Sequence, residues 1–338
     1  MPMLPVIWGP RLYKGPVQLV HALALTASSM QRPIRIGTRG SKLALIQAET
    51  VANRLRAHHG LGEEDVVLEI IQTTADKFQD RQLMEIGGKG LFTKEIEEAL
   101  AENRIDLAVH SMKDMPTVLP EGLIIDCVLE REDPRDAFIS LKYGSIDELP
   151  EGARFGTSSL RRAAQMLINR PDLEIVPFRG NVQTRMRKLA DEVADGTLLA
   201  MAGLTRLDML ATATQPLSPE EMLPAIAQGI IGIERRVDDE ALADMLAPLN
   251  HEETAICMAA ERAFLKELDG SCRTPIAGYA TLEDGVIHFR GEIVKPDGSE
   301  KLGCESDGAA AEAALLGAAA ARALKEQAGP DFMAAITH

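Results

Sequence analysis

One short pattern occurs twice in this 338-residue chain, and it restricts the fold more than any other feature. "IRIGTRGSKLALIQ", from Ile34, and "ARFGTSSLRRAAQMLINR", from Ala153, each run from a strand-like stretch through a Gly-Thr turn into a helix-like segment. In the first copy Leu43, Ile46, Val51 and Leu55 trace a helical stripe, and Ser41 stands where a cap is needed. A strand that feeds a helix cannot pair with the next strand as a tight hairpin, so such units build layered α/β domains with largely parallel sheets. Further segments extend both sets: "DVVLEIIQTT" and "IDLAVHSM" in the first, "LEIVPFRGNVQTRMRKLADE" and "GTLLAMAGLTRLDML" in the second. Between them "EREDPRDAF" is dense in charge and contains Pro134, as a crossing between domains would be. From Glu252 the pattern changes to a long helix, a polar turn, strands punctuated by "EDG" and "PDG", and an Ala-rich closing helix. Two similar α/β lobes with a smaller α+β domain are expected, with a cleft at the carboxyl ends of the strands.

Composition narrows the chemistry. The chain is 46% hydrophobic and 26% charged, enough for two or three domains with real cores, and its net charge is −15. So acidic a protein has no overall attraction for nucleic acid or an anionic membrane, so no such partner is expected and any anion site must be built locally. Cysteines stand at 127, 257, 272 and 304, with no C-x-x-C pair and no zinc-like spacing, so reduced thiols in a cytoplasmic protein and no metal site are expected. Cys127 and Cys257 fall in strand-like and helical apolar runs, and Cys304 is read as a strand-end residue. Cys272, in "LDGSCRTP", sits in a turn beside Arg273, where a thiol has more thiolate character. The first residues have a faint signal-peptide character, interrupted by Gln18 and His21, and read instead as an upstream start or a disordered extension.

The strand-to-helix turns share one chemistry. "GTRGS" offers Arg39 and Ser41; "GTSSLRR" offers Thr157, Ser158, Ser159, Arg161 and Arg162; "FRGNVQTR" offers Arg179 and Arg185; "AGLTRL" offers Arg206. A helix amino terminus with hydroxyls and guanidinium groups suits anions, and arginine grips a carboxylate through two parallel hydrogen bonds. Singly, each arginine reads equally well as a solvated face or an ion pair. Together, in an acidic chain, they imply a ligand with several separated negative groups. No phosphate-binding G-x-x-x-x-G-K-[ST] motif exists, so a polycarboxylate matches at least as well. "AVHSMKDMP" ends a strand with His110, Ser111, Lys113 and Asp114, where a carboxylate can stabilise a developing cation or simply cap a turn. "TTADKFQDRQLMEIGGKG" reads as a lid or a plain loop.

At these residues the sequence resembles the hydroxymethylbilane synthase (porphobilinogen deaminase) family from Arg32 onward. "GTRGSKLAL", "GGKGLF", "AVHSMKD", "EREDPRDAF", "GTSSLRR", "RGNV", "PAIAQGIIGIE" and the block "ERAFLKELDGSCRTPIA" appear in family order. The resemblance implies a fold of two periplasmic-binding-protein-like α/β lobes plus a small C-terminal α+β domain. It implies a chain that returns to the first lobe near "QGIIGIERRVDDEALADML": residues 32–130 with 229–248, then 134–226, then 251–338, preceded by an extension over 1–31. It implies a dipyrromethane held by a thioether to Cys272, onto which four porphobilinogens are condensed with loss of ammonia before hydrolysis releases the tetrapyrrole. Asp114 matches the catalytic carboxylate, expected to be buried beside a pyrrole N–H. Lys113, Ser41, Thr157, Ser158, Ser159, Arg161, Arg162 and Gly229 match cofactor-binding positions. Arg39, Arg179, Arg185, Arg206, Gln228 and Lys89 match substrate-binding positions. Glu85 stands where some members carry a lid lysine, and that role is not carried over. A cytoplasmic monomer acting on porphobilinogen is expected. The same α/β pairs could also build a reversible solute-binding module, and a cysteine hydrolase would need a histidine partner that only His110 suggests.

Overall fold

The computed structural model describes residues 32–73, 93–271 and 274–337, so the readings on residues 1–31, Glu85, Lys89, Cys272 and Arg273 lie outside the described residues. In chain order the first lobe begins β1 (Ile34–Thr38), α1 (Lys42–His59), β2 (Val66–Ile70), α2 (Lys94–Ala101), β3 (Leu107–Ser111) and β4 (Leu123–Val128). The second holds β5 (Asp136–Ile139), β6 (Arg154–Gly156), α3 (Leu160–Asn169), β7 (Glu174–Val176), α4 (Val182–Ala190), β8 (Gly196–Ala200), α5 (Met201–Arg206) and β9 (Gln215–Pro216). Then come β10 (Ile231–Arg236), α6 (Glu240–Leu246), α7 (Glu252–Glu267), β11 (Ile276–Glu283), β12 (Val286–Val294), β13 (Lys301–Ala309) and α8 (Ala313–Thr337).

Capping explains why the helices start at the glycine- and hydroxyl-rich turns. Ser41 accepts from the Ala44 N–H, Ser159 from Arg162 N–H and Asn181 from Thr184 N–H, each satisfying a donor that helix geometry leaves without a partner.

The two larger sheets share one design. The first has the order β2-β1-β3-β10-β4, with β1 parallel to β2 and β3 and β10 antiparallel to both neighbours. The second has the order β7-β6-β8-β5-β9, with β6 parallel to β7 and β8 and β5 antiparallel to both neighbours. In each sheet the antiparallel member is the strand entered from a crossing: β5 on the way out, β10 on the way back. The two crossings lie side by side, with Glu132 N–H donating to the Gly229 carbonyl at 3.2 Å. Gly229 has φ 92°, and a Cβ there would stand 2.3 Å from the Glu132 carbonyl oxygen, so only glycine allows this approach.

The third sheet is the antiparallel meander β11-β12-β13, covered by α7 and α8. Its core contains Phe264, Phe289, Ile287 and Ile293, and also Met112 and Met115 from the turn after β3 and Ile226, Ala227 and Ile230 from the return crossing. The smaller domain therefore packs directly on the turn after β3 and on the crossing. Cys127 and Cys257 are buried, in β4 and α7. Cys304 sits mid-strand in β13 rather than at a strand end, its thiol directed at the Gly291 carbonyl of the neighbouring strand.

Candidate active site

The first wall of the cleft is made where β1 and β3 end. Arg39, Ser41, Gln47, Thr93, His110, Ser111 and Asp114 line one cavity there. The Gln47 amide donates to Ser111 Oγ at 2.8 Å, fixing that hydroxyl against α1. His110 Nε2 lies 3.0 Å from Glu234 Oε2 on the adjacent β10, and both side chains are buried. This pairing gives His110 a structural tether and no thiol partner among the described residues.

The turn Met112–Asp114 sets the orientation of the motif residues. Met112 and Met115 are turned into the third core, 1% and 4% exposed, which directs Lys113 and Asp114 the other way. Arg262 of α7 locks the turn from behind by donating to the carbonyls of Met115, at 3.3 Å, and Pro116. Asp114 is exposed, correcting the expectation of a buried carboxylate. The reason is this alternation: with both methionines inward, its carboxylate opens into the cleft.

Lys113 donates to Gln228 Oε1 at 3.2 Å. Burial of its ammonium pushes its pKa down to about 8; the nearby Arg162 and Arg161 guanidinium groups add to the fall, and Asp114 and Asp136 oppose it.

The second wall comes from the turn after β6. Thr157 Oγ1 accepts from Ser159 N–H at 3.1 Å, and Ser158 Oγ accepts from Phe178 N–H at 3.0 Å. These hydroxyl oxygens hold the turn's own backbone, as Ser159 does at the helix start. Arg161 and Arg162 are both buried and converge on Asp136, at 2.6 Å and 2.7 Å. Their second ends donate to the Leu223 and Leu198 carbonyls, each at 2.9 Å. Arg162 Nε is buried with no partner among the described residues. Arg185 donates to the Gly180 carbonyl at 3.0 Å, and burial, then Arg162 and Arg179, lower its pKa to about 10. Arg206 donates to the Gly229 carbonyl at 2.6 Å, so both residues stand at the crossing. Gln228 links the walls, donating to Pro134 O at 2.7 Å and Asp136 Oδ1 at 3.0 Å while accepting from Lys113.

Lys113, Gln228, Arg161 and Arg162 thus form one bonded chain through Asp136, and Arg179 and Arg185 join it through their fields. On the far side of the Cys272 position, Thr274 Oγ1 accepts from Ser271 N–H at 2.9 Å and donates to Ser271 O at 2.7 Å, drawing the flanking residues together. Sequence reasoning missed Asp136, hidden in a stretch read only as a link, and Glu261, the first residue of the cysteine-bearing block. Glu261 is fully buried and accepts from Arg131, Ala227 N–H and Ala280 N–H, tying the α7 helix to both crossings. An excess of cations, with Lys113 and Arg185 depressed first by burial and then by neighbouring guanidinium groups, and an orphaned guanidinium N–H fit a polycarboxylate such as a dipyrromethane.

Residues 34–244 match the family model described as "Porphobilinogen deaminase, dipyromethane cofactor binding domain", and residues 255–326 match "Porphobilinogen deaminase, C-terminal domain". The chain belongs to the porphobilinogen deaminase family. Porphobilinogen deaminase of Paracoccus denitrificans is 57% identical over 302 residues, 89% of this chain and 96% of that one. The chloroplastic porphobilinogen deaminase of Oryza sativa is 51% identical over 328 residues, 96% and 92% of the two chains. A nutrient binding protein from Burkholderia cenocepacia, solved bound to methionine, is 14% identical with a TM-score of 0.41, covering 69% of this chain and 95% of that one. Within the porphobilinogen deaminase family, the first matched model contains both cleft walls, and the second begins inside α7.

Proposed function

We propose that this chain is a transferase, a hydroxymethylbilane synthase, joining four porphobilinogens head to tail with loss of ammonia and releasing the linear product by hydrolysis. The observation that carries this reading is the site itself: Asp114 lines a cavity with Arg39 and stands beside Lys113, whose ammonium belongs to a cationic cluster with Arg161 and Arg162 that has too few anions of its own. When bound, the dipyrromethane supplies the pyrrole carbon nucleophile from which the chain grows. Cys272 would hold it, with Lys113, Ser41, Thr157, Ser158, Ser159, Arg161, Arg162 and Gly229 contributing contacts, electrostatic field or backbone geometry. Arg39, Arg179, Arg185, Arg206, Gln228 and Lys89 would serve the incoming substrate.

Porphobilinogen carries an acetate and a propionate, and the guanidinium groups offset that charge as the product lengthens. Arginine suits the task because it keeps its charge when partly desolvated. Asp114 accepts the pyrrole N–H of the substrate and stabilises the cation left when ammonia departs; a fixed carboxylate aimed at developing charge is worth more than one that must reorient. Its exposure leaves it accessible to each successive substrate, and a ring lying over it would remove the water. We further propose the domain boundaries given by the sequence, a monomeric state and a cytoplasmic location.

Two measurements test the reading. Intact-protein mass spectrometry should show a mass excess equal to a dipyrromethane, absent from Cys272→Ser. Asp114→Ala should keep its circular dichroism and lose about a hundred- to a thousandfold in kcat, on the order of 3–4 kcal/mol. An unmodified native mass from porphobilinogen-replete cells, or near-native turnover by Asp114→Ala, would sink it.

A further inference from the structure

Asp136 opens β5 and is 0% exposed. Its Oδ2 accepts from Arg161 Nη2 at 2.6 Å, and its Oδ1 accepts from Arg162 Nη2 at 2.7 Å and from Gln228 Nε2 at 3.0 Å. Each arginine is also pinned at its other terminal nitrogen by a backbone carbonyl. A planar group held at two points cannot rotate, so the direction of each remaining N–H edge is set before any ligand arrives. From Gln228 the chain of bonds continues to Lys113 at 3.2 Å, beside Asp114. It therefore starts on α3, passes through the first residue of β5 and the return crossing, and ends on the turn after β3. One buried carboxylate bonds the second lobe to the first behind the cleft.

A buried ionic cluster of this kind is weak evidence for stability, because removing charges from water costs roughly what their attraction returns. What it supplies is orientation: ligand carboxylates meet donors already aimed, and less freedom is lost on binding. We propose that Asp136 is the positioning residue of this cleft, orienting Arg161 and Arg162 directly and Lys113 through Gln228. This rests on the polycarboxylate reading above. The groups facing the Lys113 ammonium are Asp114 on its own turn, Asp136 on β5 and Arg161 and Arg162 on α3. Removing the Asp136 charge takes away one of the two anions that keep Lys113 protonated beside two guanidinium groups, and frees the Arg pair to swing.

The test uses the full-length holoenzyme and its Asp136→Asn and Asp136→Glu variants, with kcat and KM for porphobilinogen followed across pH. Asp136→Asn should raise KM about tenfold or more, and its alkaline limb should move to lower pH, because an ammonium that has lost an anion deprotonates earlier. Asp136→Glu keeps the charge and should return the limb toward the native position. A folded Asp136→Asn enzyme with native KM and an unmoved limb overturns the proposal, as does an Asp136→Glu limb displaced as far as that of Asp136→Asn. A lower melting temperature alone, with kinetics unchanged, means a purely structural carboxylate and also overturns it. If Asp136→Asn does not fold, Gln228→Leu decides, since it keeps both arginines on Asp136 while removing the amide that joins Asp136 to Lys113, together with its bond to Pro134 O: a limb moved to lower pH supports the proposal and an unmoved one refutes it. Native protein lacking both adduct and turnover would instead remove the polycarboxylate reading, so the two failures are distinguishable.

Discussion

Arg131→Leu and Glu261→Leu, alone and together, probe how the smaller domain is tied to the lobes. Glu261 is fully buried, and its carboxylate accepts from Arg131 Nη1 at 2.5 Å, Arg131 Nη2 at 3.3 Å, Ala227 N–H at 2.6 Å and Ala280 N–H at 2.9 Å. Arg131 also donates to the Gln228 carbonyl at 2.9 Å and lies over the Tyr279 ring, 4.8 Å from its centroid. Removing the cation alone leaves an uncompensated buried charge, a loss of about 3–5 kcal/mol. Glu261→Leu should cost at least as much, because it strands two backbone donors as well as Arg131, and each stranded donor adds about 1–3 kcal/mol. Once Glu261 is gone, Arg131 has lost its anion, so the double variant should lie within about 1 kcal/mol of Glu261→Leu instead of at the sum. At about 1.4 °C per kcal/mol for a chain of 338 residues, each single change lowers the melting midpoint by roughly 4–7 °C. Differential scanning fluorimetry of the four proteins reads this directly. Midpoints within about 2 °C of native for either single variant, or strictly additive losses, would refute the reasoning.

Two further outcomes follow from buried titratable groups. Burial by itself raises the Asp106 carboxyl, but hydrogen bonds from Arg35 and Arg32 outweigh it and hold the pKa at about 2, below the ordinary 3.8. A depressed carboxyl contributes stability above its unfolded value and loses it as pH falls toward the folded value, so native protein should lose about 2 kcal/mol between pH 3.8 and 2 that Asp106→Asn does not; equal acid slopes in urea titrations would contradict this. Burial pushes the thiols of Cys127 up to about 12 and of Cys257 and Cys304 up to about 11, so a disulfide reagent at neutral pH should find no fast thiol among them, and rapid labelling of any one, located by peptide mapping, would show the packing to be wrong.

Much of the site was legible because its signals are local. The Gly-Thr turns, the capping hydroxyls and the alternation of strand and helix act over three or four residues, so Ser41 could be placed at a helix start from its neighbours, and Ser159 in a turn that opens one. The exposure of Asp114 was not legible. It follows from Met112 and Met115 finding a core built by α7 and the third sheet, about 150 residues further along the chain. Likewise "GTSSLRR" announces two arginines at a helix start, but nothing in it says that an acid in "DPRDAF" occupies both.

The sequence by itself determined the strand, turn and helix units of the two lobes and which family their turns belong to, because those depend on periodicity and on side chains meeting their own backbone, whereas β5 lay hidden in a stretch read as a link. Only the tertiary structure decided the partners: Asp136 reaches Arg161 across 25 positions, Gln228 reaches Asp136 across 92, and Lys113 reaches Gln228 across 115. At such separations no local rule constrains an ion pair. The match is fixed when two crossings lie against each other and bring the ends of two sheets to one cleft, and the cost of burying the Asp136 charge favours the arrangement in which Arg161, Arg162 and Gln228 all meet it.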